Sequence, residues 1–397
     1  MANFTIKKAT RERCVIYPVD QNTILKFTPI SLELYSYLFE LKRLDFPMYF
    51  RLKNEIIEYM KPSEFCHAYL EHIWRATQKK ASDIAVCIRN KDRKKFEAAI
   101  SHVRQRKINA LLEKDSSLDR KTLMVFNDLS GASQMIVKGG IDKEVAKRAT
   151  QAASYMVQNL MNSEAAMGTL SRMVSIDPTL YDHSAAVAMF SGLMATRFAQ
   201  NPLSEKDAAI VAQCGLYHDT GKTCVPSAIL NKPGSFTDEE YEVMKSHTHL
   251  GSFELQKAKD NGAPIDDLVV RVALEHHERF LGHGYPFGRK GRLEEDPENG
   301  IHLYSRFVAI ADAYSALLMK RVYKPALSSE KAISLMSKNA PKDFDMEIYA
   351  SFISTIRKSI KNLADKKLEN EMTLNVAKGE KVHNGGTLDY SLHHKKR

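Results

Sequence analysis

The stretch AAIVAQCGLYHDTGK (208–222) opens as an apolar helical run and ends abruptly in His218 and Asp219, with Gly221 and Lys222 just beyond. A helix that is apolar on nearly every side belongs inside a protein. Its end therefore delivers an imidazole and a carboxylate to a buried place, where either is costly without a partner. Gly221 is expected to terminate that helix.

The same arrangement recurs on both sides. His183 lies in LYDHSAAVAMFSGLMA (180–195), where Val187, Phe190 and Met194 mark the buried side of a helix. His247 lies in MKSHTHLG (244–251), and His276 and His277 end LVVRVALEHH (268–277). Asp312 sits inside SRFVAIADAYSALLM (305–319), an acid in an otherwise apolar helix. Singly, each has an ordinary reading: a hydrogen-bonded core histidine, a capping pair, a surface ring. Together, five imidazoles and two carboxylates form the mixed N/O set that suits Mn, Fe or Zn. No cysteine is among them, which argues against a structural zinc knuckle.

At 397 residues and 44% hydrophobic, the chain has room for two or three domains with ordinary cores. FVAIADAYSALLM (307–319) is too short for a membrane span and carries an acid. The first residues show no apolar targeting segment. The five cysteines form no CxxC pair and read as free thiols of a reducing compartment, so a cytoplasmic protein is expected. The net charge of +10 lies mostly in residues 1–128, with 24 Lys/Arg against 16 Asp/Glu. Its densest run, RNKDRKKFEAA (89–99), has no interleaved aromatics and reads as a solvated helix face, not a surface for a nucleic-acid polymer.

The expected fold class is mainly α. A small α+β regulatory or sensory module spans 1–115, with strands and one short helix (31–42) up to residue 60 and helix from Pro62 to Leu112. Residues 116–165 read as a helical connector with breaks near Gly131 and Gly139–Gly140. The continuous helical period over 142–174 offers either a surface pairing two protomers or a plain packing helix. Residues 166–362 read as an all-helical domain that holds these histidines and aspartates, with helix starts at Ser204-x-x-Asp207 and Thr237-x-x-Glu240. A disordered basic tail occupies 363–397, with His393 and His394 exposed in it.

HDTGK (218–222) followed by HHERFLGHGYP (276–286) resembles the HD-GYP family of HD-superfamily phosphohydrolases. The resemblance extends through VPSAILNKPGSFTDEEYEVMKSHTHLG (225–251) and YSRFVAIADAYSALLMKRVYKPALSSEKAISLM (304–336), and covers roughly 175–340. It implies an all-helical HD domain that hydrolyses the cyclic dinucleotide cyclic di-GMP to linear pGpG or GMP in bacterial signalling. It also implies two divalent ions, Fe or Mn. His183, His218, Asp219 and Asp312 would hold one, and His247, His276 and His277 the other, with Asp219 bridging. His247 is preferred to His249 because it lies four residues before Gly251, and the two rings point about 200° apart on a helix. Lys222, Tyr285, Arg321 and Lys324 are the implied substrate contacts. Thr179 stands where some members have a glutamate for a third metal. Leu281 replaces a common acid, and His283 lies near the pocket. Two other readings stay open: another cyclic dinucleotide such as cyclic GMP-AMP, and an inactive metal-binding effector acting through protein partners.

Overall fold

The computed structural model describes residues 16–18, 26–30, 37–38, 40–41, 43–52, 55–62, 84–177, 180, 182–230, 232, 234–319 and 327–377. Five strands, β1 (Ile16–Pro18), β2 (Phe27–Ile30), β3 (Met48–Leu52), β4 (Glu55–Met60) and β5 (Ile84–Arg89), pair antiparallel in the order β1-β4-β3-β5-β2. Their period-two alternation divides the side chains. Val86 and Ile88 face one side and Cys87 the other. The first side packs on Phe96, Ile100 and Val103 of α1 (Arg93–Lys114).

Strand β5 lies where helix was expected. A six-residue apolar run, IAVCIR, fits a buried helix or a strand equally by periodicity, and pairing with β2 and β3 decides it. Most of the 31–42 stretch lies outside the described residues; of those described in it, Tyr37 and Leu38 are helical.

Helix α1 links two cores: Ile108 and Leu111, near its end, enter a larger one. That core also takes Leu123, Phe126 and Leu129 of α2 (Arg120–Gly139), and Ala149, Met156 and Leu160 of α3 (Lys143–Leu160). The 116–165 segment is thus part of the main body and not a span between units. The break expected at Gly131 is absent, because a helix tolerates one exposed glycine at about 1 kcal/mol. The break at Gly140 is present, with φ +72°. The 142–174 stretch is two helices, α3 and α4 (Ala166–Ile176), and the apolar face of α3 is spent inside this chain.

The body continues with α5 (His183–Thr196), α6 (Glu205–Tyr217), short α7 (Ser227–Leu230), α8 (Asp238–Lys245), α9 (His247–Asp260) and α10 (Asp267–Glu275). Then come α11 (Leu303–Leu318), α12 (Ser329–Ser337), short α13 (Ala340–Asp343) and α14 (Met346–Ala377). Ser204 caps α6 by accepting from Asp207 N–H, and Thr237 with Glu240 forms a full capping box on α8. Helix α5 is buried from Ala185 to Ala195, so every neighbour must pack on it.

Residues 363–377, expected to be disordered, instead extend α14. Leu363 is buried, and Asn370 Nδ2 donates to the carbonyl and hydroxyl of Ser116 at 3.3 and 3.2 Å. This extension lacks an apolar stripe because it continues a helix already anchored by Phe352 and Ile356. His393 and His394 lie outside the described residues. Among the described residues no helix is long and apolar enough to cross a membrane, and Cys87, Cys214 and Cys224 are free thiols.

Candidate metal centre

Asp182 caps α5 by accepting Ala185 N–H at 2.9 Å, which sets His183 in the first turn. Helix α6 stops at Tyr217, before Gly221, and a 3-10 turn, Thr220–Cys224, follows Asp219. Gly221 has a different purpose from the one expected. A Cβ there would lie 1.9 Å from His247 O and 2.4 Å from Gly251 N, so only glycine lets the turn rest on the start of α9. That contact brings His247 to Asp219, with Nε2 at 3.5 Å from Oδ1.

The structure brings all seven predicted ligands together. Asp219, His247, His276 and His277 each offer a ligand atom within 4.8 Å of the others, and His183, His218 and Asp219 do the same on the opposite side. Asp219 belongs to both groups. Asp312 Oδ1 reaches His183 Nε2 at 3.1 Å and His218 Nε2 at 3.8 Å.

Four of the five rings are turned by a bond on the far side. The Nδ1 atoms of His218, His247 and His276 lie at 2.8, 2.6 and 3.0 Å from the carbonyls of Gly215, Met244 and Ala273. Those carbonyls can only accept, so Nδ1 carries the proton and the Nε2 lone pair faces the centre. His183 Nδ1 meets Ser315 Oγ at 2.8 Å. Of the buried side-chain atoms without a hydrogen-bond partner among the described residues, two belong to these candidate ligands, His218 Nε2 and Asp219 Oδ1. His218 Nε2 faces Asp219 Oδ2 at 3.2 Å, while Asp219 Oδ1 faces His247 and His276 at 3.5 and 3.8 Å, so the unpaired atoms fit a cation on either side of the carboxylate.

The electrostatics agree. Burial, reinforced by neighbouring rings, holds His276 well below its ordinary value; burial also lowers His247 and pushes His277 down to about 3. All three are neutral at pH 7, as ligation requires. Burial opposes ionisation of Asp219, but His218, Lys222 and His183 outweigh it and hold the carboxyl well below the usual range. Asp312 behaves alike beside His183 and His218. Lys222 Nζ donates to Asp219 Oδ2 at 2.5 Å.

Metal-free protein should therefore lose stability on acidification. Unfolded imidazoles titrate near about 6.5, whereas folded His277 titrates at about 3. Between these values the unfolded chain binds more protons, so stability falls as pH drops, by up to about 1.4 kcal/mol per pH unit for each ring. His218, raised by Asp219 and Asp312 against the effect of burial, acts in the opposite sense, one ring against three. Thermal melts in chelator from about pH 7.5 to about pH 5 should show a steadily falling Tm. A flat profile would mean these rings are not buried as neutral species.

The GHGYP loop is built against this centre by two acids that the reading of the sequence passed over. Glu278 accepts the N–H groups of Phe287 and Arg289, both at 2.8 Å, and is pushed up by burial. Glu275 accepts from Arg271, Arg289 and Ser305 Oγ. Their only signal was their place beside His276 and His277 in EHHE. A Cβ on Gly284 would lie 2.4 Å from Arg279 N and His277 O, so glycine here closes the loop on its own stem. Tyr285 then stacks on His277 at 4.7 Å and 28°. His283 turns away to Asp343, with Nε2 to Oδ1 at 2.7 Å, and Leu281 is 59% exposed. His249 is exposed, its ring edge-on to Phe287 at 5.8 Å and away from the centre. Thr179, Arg321 and Lys324 lie outside the described residues.

Residues 156–348 match the model of the HD domain family. The match takes in just under half of the chain, and this part is similar to HD domains. Among curated proteins, the chain is 37% identical over 145 residues to a cyclic di-GMP phosphodiesterase of Vibrio cholerae, covering 36% of this chain and 28% of that protein. It is 33% identical over 214 residues to a cyclic di-GMP phosphodiesterase of Thermotoga maritima, covering 53% and 51%. It is also 31% identical over 188 residues to 3'3'-cGAMP-specific phosphodiesterase 3 of V. cholerae, covering 47% and 37%. The chain thus spans between 28% and 51% of the length of these relatives. Among solved structures, Bd1817, an HDG"Y"P protein from Bdellovibrio bacteriovorus, matches with a TM-score of 0.51 at 17% identity, covering 87% of this chain and 99% of that one. It shares the fold.

Proposed function

We propose that the chain is a metal-dependent phosphodiesterase that hydrolyses cyclic dinucleotides, with cyclic di-GMP as the leading substrate and linear pGpG or GMP as product. The observation that carries this reading is the pair of orphaned buried atoms, His218 Nε2 and Asp219 Oδ1, inside a ring of seven ligands that share Asp219. Relatives at 31–37% identity named for cyclic di-GMP and cyclic GMP-AMP hydrolysis support the substrate class. His183, His218, Asp219 and Asp312 would hold one divalent ion, and His247, His276, His277 and Asp219 a second, iron or manganese. Bound there, such ions would draw a nucleophile from water at neutral pH and neutralise phosphoryl charge.

The chain's own residues do the rest. Far-side hydrogen bonds keep His218, His247 and His276 in the ligating tautomer, and the neutral rings of His247, His276 and His277 have no extra proton to lose as the site fills. Lys222 holds the Asp219 carboxylate ionised and stands within a flexible stem's reach of a phosphate. Tyr285 fixes the His277 ring by stacking on it. Arg321 and Lys324, just beyond α11, are proposed to meet the substrate phosphates. The N-terminal module is proposed to regulate the site, in a cytoplasmic protein.

Purified chain loaded with Fe(II) or Mn(II) should carry close to two ions per chain by elemental analysis. It should convert cyclic di-GMP to products resolved by chromatography, with cyclic GMP-AMP assayed in parallel. Metal-loaded protein that cleaves neither dinucleotide would overturn the reading.

A further inference from the structure

We infer that Tyr241 and Lys245 form a second substrate subsite, one that holds the half of a cyclic dinucleotide lying away from the metal ligands. This rests on the phosphodiesterase reading above. Helix α8 buries none of its residues, so it adds nothing to the core. It is nevertheless pinned, by its capping box and by the ion pair of Lys232 with Glu240. What the helix presents is an aromatic ring and a cation aimed at the GHGYP loop. Tyr241 is 46% exposed and meets Tyr285 edge-on at 6.4 Å. Lys245 Nζ sits in the angle between the two rings, 5.3 Å from the Tyr241 centroid and 5.8 Å from that of Tyr285. Tyr285 itself stacks on His277, so a continuous wall runs from a metal ligand outward through Tyr285 and Lys245 to Tyr241.

A cyclic dinucleotide has two bases and two phosphates on one ring. When one phosphodiester lies on the metal ligands, the other half must extend over the adjoining surface. An exposed tyrosine can stack on a base, and the ammonium beside it can take the second phosphate. Lys245 is paired with exposed Glu242 at 2.6 Å, and a pair of that kind contributes little, so the ammonium can exchange partners. Mononucleotides and simple diesters would use the metal end of the wall alone.

The test compares KM for cyclic di-GMP with KM for bis(p-nitrophenyl) phosphate, a diester with no nucleobase, in metal-loaded full-length protein. Tyr241→Ala should raise the first relative to the second by about fivefold or more, from the loss of one base stack. Tyr241→Trp should keep the selectivity, and Lys245→Ala should lower it where Lys245→Arg does not. Metal content by elemental analysis should match wild type throughout. The subsite is overturned if Tyr241→Ala and Lys245→Ala leave the ratio of KM values unmoved. It is also overturned if both substrates suffer equally, which would mean that α8 merely props the loop. Wild-type protein that cleaves the simple diester and neither cyclic dinucleotide would overturn the proposed function itself, and the subsite with it.

Discussion

Asp219→Ala should reduce hydrolysis by about a thousandfold or more, equivalent to roughly 4 kcal/mol of lost transition-state stabilisation. Asp219 is the only carboxylate common to both ligand groups. Removing it takes away the anion that His183, His218, His247 and His276 all approach within 4 Å, leaving Asp312 beside His183 and His218 alone. Two cations placed there would repel each other without a bridging charge, so elemental analysis should show at most one ion per chain. Asp219→Asn keeps the shape and removes the charge, and should lose activity almost as fully. The fold should survive both changes, because the residue follows α6 and is not part of its apolar packing. His249→Ala, which removes an exposed ring two residues from a ligand, should keep both ions and most activity. Near wild-type turnover by Asp219→Ala, or loss of metal from His249→Ala but not from His247→Ala, would sink the assignment.

Gly221→Ala should be the most damaging single-methyl change in the HD motif. Its Cβ would meet the backbone of α9 at 1.9 and 2.4 Å, and backbone cannot swing aside as a side chain can. Overpacking of this kind costs about 3 kcal/mol or more when relief requires an element to move. That corresponds to a drop in Tm of roughly 6–12 °C for a domain of this size. The displaced element is α9, so the ion held by His247, His276 and His277 should be lost before the other. Gly131→Ala is the matched control. Nothing lies within 4 Å of its added methyl on α2, and a mid-helix alanine is favoured over glycine by roughly 0.5–1 kcal/mol. Equal melting temperatures for the two variants would show that the turn and α9 are not in close contact.

Much of this was legible because it is local. An apolar helix ending in His218 and Asp219, an acid within the apolar run around Asp312, and the caps at Ser204 and Thr237 are written in consecutive residues. Periodicity tells which side of an element is buried, so five imidazoles and two carboxylates could be singled out one helix at a time, with the family resemblance choosing His247 over His249. What periodicity lacks is the partner against which that side is buried. The run Ile84–Arg89 became a strand only through pairing with β2 and β3, and α2 passed through Gly131 because its other residues had a core to fill. The same limit hid Glu275 and Glu278, whose bonds apart from the Arg271 pair reach residues 9 to 30 positions away, and the role of Gly221, set by a helix that starts 26 residues later. Residue types and their spacing determined by themselves which atoms this protein could offer to a metal. Only the tertiary structure decided that they meet, because convergence depends on backbones approaching across elements, and no local pattern encodes that approach.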